Sequence, residues 1–164
     1  MKFLTYTFFL IFTINSFAQK NCKLNKKINE FDNMEITNTR LFNLASKGMA
    51  DFVNVTLYKF KQNDEIKYSF YVSLNTGFKQ CVTNDSYVSI KFKNGNIIKL
   101  PRNNSEIDCG TYSMFVDLEL EQLRKISEED IDMIRVNIEY QKDYKVKEKR
   151  DLKFKKIAEC LLNE

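Results

Sequence analysis

Residues 88–101 read VSIKFKNGNIIKLP, and the fold class follows from this segment first. Apolar and polar side chains alternate on both sides of Asn94-Gly95, a pattern that is typical of two half-buried strands joined by a tight turn. Pro101 ends the second strand because proline has no N–H to donate to a strand ladder. The stretch therefore predicts an antiparallel hairpin.

The register of this hairpin depends on the length of its loop. A two-residue turn would bring Lys99 opposite Ile90 and place a charge on the apolar face. A three-residue loop, residues 93–95, pairs Ile90 with Ile98 instead and puts Gly95 where a positive φ is required. Because burial of one face sets the register, the sequence predicts the three-residue loop.

The same alternation extends outward from the hairpin. Two runs around a polar loop at residues 61–65 predict a second hairpin, and segment 29–44 is interpreted as strand, with a turn starting at Gly48. The predicted strands outside the first hairpin are 53–57, 66–74, 112–120, 134–140 and a short partner at 144–146.

Two helices are predicted after the strands. Ser127 with the acidic residues 128–130 resembles an N-cap and first turn, which would open a short helix around Ile131. Asp151 is the predicted cap of a C-terminal helix, whose apolar positions follow the helical spacing: Phe154, Ile157, Ala158 and Leu161. The predicted fold class is α+β, mainly β: an antiparallel sandwich or open barrel of six to seven strands with a C-terminal helix.

The N-terminus predicts export. Residues 1–18 combine a lysine, an apolar run and the ending Ser16-Phe17-Ala18, which is the pattern of a cleaved secretory signal peptide. The run is too short and too polar for a membrane-spanning helix, and the polar residues before Cys22 argue against lipidation. We expect residues 19–164 to form a single β-rich domain, periplasmic or secreted, with no transmembrane segment.

The four cysteines, Cys22, Cys81, Cys109 and Cys160, all follow the predicted cleavage site. An even number in an exported chain indicates disulfides, for which three connectivities are possible. The predicted hairpin brings Cys81 and Cys109 to the same end of the sheet. We therefore favour Cys81–Cys109, which leaves Cys22–Cys160.

Composition excludes several kinds of chemistry. The chain has no histidine, so Ser-His-Asp and Cys-His catalysis and histidine metal sites cannot be built. Its net charge of +4 is modest, and no RNA-binding motif, phosphate loop or nucleotide fingerprint occurs. We expect no catalytic, cofactor-binding or metal-binding residues, no cofactor and no nucleic-acid partner.

Three groups of side chains are candidate functional sites. Asp117, Glu119 and Glu121 share one face of a predicted strand and allow a carboxylate hydrolase, although a solvent-exposed face explains them better. Tyr58, Phe60 and Tyr71 lie opposite the core positions, which indicates that this second face is partly covered or forms a contact surface. With Tyr68, Tyr87 and Tyr112 the tyrosines could line a carbohydrate platform, although burial of both faces is the favoured interpretation.

The third group is basic. Segment 142–156 is rich in lysine and could bind an anionic glycan, lipid headgroup or acidic protein, or could be a solvated edge that discourages aggregation. The residues named for an anionic partner are Lys145, Lys147, Lys149, Arg150 and Lys153.

The order of these features resembles a known kind of protein. Segment 29–32, Cys81 before 89–95, Cys109 before 127–130 and a terminal helix look like the small, uncharacterised, secreted β-rich proteins of Gram-negative bacteria. The resemblance covers most of residues 19–164 but rests on turns, caps, strands and cysteines. It implies bacterial export and a β-rich fold, and it transfers no site residues.

The function predicted from these observations is a non-enzymatic exported binding or accessory protein, with a protein or glycan as its partner. An inhibitor or immunity-type protein acting against a secreted toxin or hydrolase fits the size, export and disulfides equally well. A carboxylate-dependent hydrolase is the third alternative.

Overall fold

The protein is described by a computed structural model over residues 22–75, 80–102, 107–111 and 113–164. Within these residues the chain is mainly β with two helices, so the predicted fold class is confirmed. The predicted signal peptide and Tyr112 lie outside the described residues. The elements are β1 (Leu24–Asn29), β2 (Met34–Thr39), β3 (Phe42–Lys47), β4 (Asp51–Gln62), β5 (Glu65–Asn75), β6 (Gln80–Val82), β7 (Tyr87–Phe92), β8 (Ile97–Pro101), β9 (Asp108–Thr111), β10 (Ser113–Leu118), α1 (Leu120–Glu128), β11 (Ile131–Asn137), β12 (Gln141–Lys145) and α2 (Glu148–Leu162).

The larger sheet has the strand order β1-β2-β4-β5-β10. The strands β2 and β3 lie end to end along the edge of β4 that does not face β5, which raises the strand number above the six or seven expected. The β4–β5 hairpin turns over Asn63 and Asp64 rather than over the five residues predicted, because strand pairing continues to Gln62 and Glu65. Asn63 adopts a positive φ of 54° in this turn, which asparagine tolerates well.

The smaller sheet has the order β12-β11-β7-β8 and contains the hairpin of residues 88–101. Ile90 pairs with Ile98 and Val88 pairs with Leu100, so the predicted register is confirmed. Gly95 has a φ of 92°, which is the left-handed conformation that the three-residue loop requires.

One core lies between the sheets and the helices. Two isolated backbone β-bridges join the larger sheet to the smaller sheet, one between Ala45 and Val146 and one between Arg102 and Val116. The helix α2 covers the inner face of the larger sheet, where the ring of Phe154 lies 6.0 Å from that of Phe42 and 6.1 Å from that of Phe70. Ala158 and Leu161 are buried on the same face of α2, as its spacing predicts.

The helix predicted at Ser127 is wrong. The chain is already helical from Leu120, and Ser127 lies near the end of α1, where its hydroxyl donates to the carbonyl of Arg124 at 2.7 Å. The start of α1 is fixed instead by Gln122, whose Oε1 accepts from the N–H of Glu119 at 2.9 Å. Ile131 begins strand β11.

The predicted cap of α2 is also wrong. The N-cap is Lys147, and Asp151 lies inside the first turn with its carboxylate almost fully buried. The side chain accepts from the backbone N–H of Ile131 at 3.2 Å, so it joins the helix to the smaller sheet rather than capping the helix.

Both predicted disulfide pairings are confirmed. Cys81 and Cys109 are register partners in the two-stranded sheet of β6 and β9, with Cα atoms 4.0 Å apart. Cys22 and Cys160 join the start of the described chain to α2 across 138 residues of sequence. Neither of the helices described has the length and apolar character needed to cross a membrane.

Candidate functional site

The basic residues predicted to bind an anionic partner are placed at the end of β12 and the start of α2. Lys145 forms an ion pair with Asp132, and Arg150 donates to the side chain of Asn43, so these two charges are held by other parts of the protein. The remaining three, Lys147, Lys149 and Lys153, are exposed.

The three carboxylates considered for hydrolysis do not share one face. The strand ends at Leu118, so Asp117 lies on the outer face of β10 while Glu119 is the N-cap of α1 and Glu121 lies in its first turn. The alternation of residues 112–120 that grouped them is broken by the helix.

The tyrosines considered for a carbohydrate platform lie on different surfaces of the protein. Tyr68 lies on the inner face of the larger sheet, where burial raises the pKa of its hydroxyl. Tyr87 lies on the outer face of the smaller sheet with the ammonium of Lys99 4.1 Å from its ring centre. Only Tyr58 and Tyr71, among the tyrosines described, lie together on the outer face of the larger sheet.

These two tyrosines belong to a cluster of four aromatic rings, which we call the aromatic platform: Tyr58, Phe60, Tyr71 and Phe115. The centres of the Tyr58 and Phe60 rings are 5.8 Å apart with the rings nearly parallel, and those of Tyr71 and Phe115 are 4.8 Å apart with the rings tilted. The Phe115 ring also lies 5.5 Å from Tyr58, so the four rings form one continuous patch.

Strand alternation places the platform. The side chains at Val55, Leu57 and Phe70 point into the core, so their neighbours along β4 and β5 point outward. The register sets Tyr71 beside both Thr56 and Phe115, which brings residues from three strands into one patch.

The platform is only partly covered. Phe115 is 41% exposed and the other three rings are half-buried, whereas Val55 and Leu57 on the inner face are fully buried. The expectation that both faces are buried therefore holds fully for the inner face alone. Thr56 and Ser69 are buried between the rings and form the floor of the patch.

A cleft of about 450 Å³ adjoins the platform and shares Tyr58 and Tyr71 with it. We call it the platform cleft. Leu41 also lines this cleft. The other six lining residues carry amide, hydroxyl or guanidinium groups: Asn25, Asn38, Thr39, Arg40, Thr56 and Ser73. This volume suits a small ligand or one or two units of a chain.

The hydroxyl of Tyr58 remains protonated at neutral pH. Burial, and to a smaller extent the neighbouring Tyr71, raise the pKa of Tyr58 above its usual value near 10. Tyr58 thus presents a hydroxyl that both donates and accepts hydrogen bonds.

Sequence reasoning placed Tyr58, Phe60 and Tyr71 on the outer face but missed Phe115 and the cleft. Phe115 alternates with the core positions Met114 and Val116, which was a usable signal for an outward-facing ring. Arg40, Asn25 and the cleft itself carry no signal in the sequence, because strands distant along the chain bring them together.

Comparison with protein-family models, with curated proteins and with solved structures finds no match to this chain.

Proposed function

We propose that this chain is an exported, non-enzymatic binding protein that holds a saccharide against the aromatic platform. The observation that carries the proposal is the position of four clustered rings beside a cleft lined by amides and hydroxyls. Contiguous apolar patches that are rimmed by polar groups are a feature of ligand-binding grooves and other interaction sites.

The chemistry of the two surfaces fits a sugar ring. A pyranose has a face of C–H groups, which stack on aromatic rings, and a rim of hydroxyl groups, which need hydrogen-bond partners. The platform offers the rings, and the side chains of Asn25, Asn38 and Ser73 offer donors and acceptors at the adjoining cleft.

Export is supported by the signal-peptide pattern of residues 1–18 and by two disulfides, which persist in oxidising compartments. The intact mass of protein recovered from the producing cell tests it. We expect the mass of residues 19–164 less four hydrogens; an uncleaved N-terminus or free thiols would contradict export.

The binding proposal is tested with Tyr71→Ala, which removes a ring that contacts Phe115 of the platform and also lines the platform cleft. We expect an array of neutral and acidic oligosaccharides to identify ligands, and calorimetry to show at least tenfold weaker binding by the variant. Tyr140→Ala is the matched control, because Tyr140 is an exposed tyrosine in the turn between β11 and β12.

Two results would overturn the proposal: no oligosaccharide binds the intact protein, or Tyr71→Ala and Tyr140→Ala bind equally well. Specific capture of a secreted hydrolase by a surface that excludes the platform would instead favour the inhibitor class.

A further inference from the structure

Arg40 is the one charged side chain among the residues that line the platform cleft. It is exposed, and no hydrogen bond or ion pair joins its guanidinium to any other residue that the structure describes. By contrast, Lys142 is paired with Asp51 and Arg135 with Asp143. A cation that lacks a counter-ion inside a ligand cleft is suited to a ligand that brings its own negative charge.

The backbone holds Arg40 at this position. Arg40 and Leu41 interrupt the edge formed by β2 and β3, so the N–H of Leu57 on β4 has no backbone acceptor from that side. The hydroxyl of Thr39 accepts this N–H at 3.0 Å, and the amide of Asn38 donates to the carbonyl of Thr39 at 2.8 Å. These bonds stabilise the interruption, which presents Arg40 at the rim of the cleft.

We infer that the ligand of the platform is an acidic saccharide whose carboxylate is bound by Arg40. The inference rests on the proposed function and names its ligand class. A guanidinium binds a carboxylate through two parallel hydrogen bonds, which fixes both the charge and the orientation of the bound group. The rings of Tyr58 and Tyr71 are close enough to the same cleft to stack on the sugar that carries it.

A saccharide fits the cleft better than an acidic peptide does. Peptides bind sheets most often by adding a strand to an open edge, where they gain backbone hydrogen bonds. The cleft extends across one face of the sheet, from Asn25 on β1 to Ser73 on β5, and Asn25, Thr56 and Ser73 line it with amide and hydroxyl groups.

The test compares acidic oligosaccharides with their own neutral forms. The probes are oligomers of galacturonate, of alginate and of hyaluronan, each beside its carboxyl-reduced counterpart, in which every carboxylate has become a hydroxymethyl group. We expect the intact protein to bind at least one acidic oligomer tenfold or more tightly than its reduced form, with affinity that falls as salt increases.

Variants then assign the effect to Arg40. We expect Arg40→Gln to lose at least tenfold in affinity for the acidic form and to bind the reduced form unchanged, with Arg40→Lys between the two because lysine offers a single point charge. Arg124→Gln is the matched control: it removes an equal charge from an exposed position on α1. Circular dichroism checks that each variant is folded.

Three outcomes would overturn the inference. If acidic and reduced oligomers bind equally, the carboxylate is not recognised, although the platform still binds saccharide. If Arg124→Gln weakens binding as much as Arg40→Gln, the attraction is only the net charge of the protein. If a polyglutamate peptide binds and no saccharide of either series does, the proposed function fails together with the inference.

Discussion

The carboxylate of Asp151 is 1% exposed in the first turn of α2. Burial is the largest influence on its pKa and raises it, and the nearby charge of Asp130 acts in the same direction. The hydrogen bond from Ile131 and the positive charges of Lys155 and Lys93 oppose this increase. The native state therefore binds a proton at Asp151 more readily than the unfolded chain does.

This difference predicts how Asp151→Asn changes stability with pH. Because the native pKa is raised, the contribution of Asp151 to stability is greatest below the ordinary carboxyl pKa and is lost as pH rises through the native value. The asparagine does not titrate, and its carbonyl can still accept from Ile131. We expect the variant to gain stability relative to the parent protein between pH 4 and pH 7.

Urea unfolding at both pH values measures the gain, and Asp64→Asn, in the exposed β4–β5 turn, controls for the loss of one negative charge. A variant that becomes relatively less stable toward pH 7 would show that the ionised carboxylate stabilises the fold.

At the residue scale, the sequence showed which face of a strand a side chain occupies, but it did not show what that side chain contacts. The alternation around Tyr58 and Tyr71 placed both rings opposite the core. Asp151 matched the preference for acidic residues near a helix start, but burial against Ile131 depends on packing between α2 and the smaller sheet. The position of Arg40 depends on a break in strand pairing, which no periodicity reveals.

Gly95 decides the β7–β8 hairpin at the scale of the element. Its φ of 92° is a conformation that side chains with a Cβ rarely adopt, and a Cβ added there would meet no atom within 4 Å. The cost of Gly95→Ala is thus confined to the backbone, and we expect a loss of about 1–2 kcal/mol in the free energy of unfolding.

Gly95→Asn is the informative comparison, because asparagine visits the left-handed region more readily than alanine. We expect it to lose less stability than Gly95→Ala in chemical unfolding. Equal losses by the two variants would mean that the loop can change its conformation and that the register does not depend on positive φ.

The elements that sequence analysis predicted well are those whose signals are local. The β7–β8 register follows from a dozen neighbouring residues, and α2 from apolar spacing along one helix. The start of α1 could not be separated from strand β10, because Leu118 and Leu120 continue the alternation of the strand while Leu123 and Ile126 already follow the helical spacing. Two valid patterns overlap there, and packing selects between them.

At the scale of the whole molecule, pairing between distant segments builds the site. The strands β2 and β3 share one edge of β4. The strand β10 follows the β7–β8 hairpin of the smaller sheet in sequence, yet it pairs with β5 of the larger sheet. The bridge between Ala45 and Val146 closes the chain over about a hundred residues. Such contacts leave little trace in one sequence, which is why three rings of the platform were anticipated from strand alternation and the cleft was not anticipated.

The two disulfides constrain the unfolded chain to different extents. Cys22–Cys160 spans 138 residues and Cys81–Cys109 spans 28. In the chain-entropy model these loops correspond to about 5 and about 3.5 kcal/mol of stabilisation, against typical domain stabilities of about 5–15 kcal/mol. The long bridge also fastens the segment before β1 to α2, whereas the short one joins two strands that pair only with each other.

We therefore expect Cys22→Ser/Cys160→Ser to be less stable than Cys81→Ser/Cys109→Ser, and both to be less stable than the parent protein. Equilibrium urea unfolding of the two double variants tests the order, with intact masses confirming that each retains its other bridge. Each variant serves as the control for the other, because both lose two sulfur atoms and one bond. The reverse order would mean that the β6–β9 pair stabilises the native state through its own contacts, since loop entropy alone favours the long bridge.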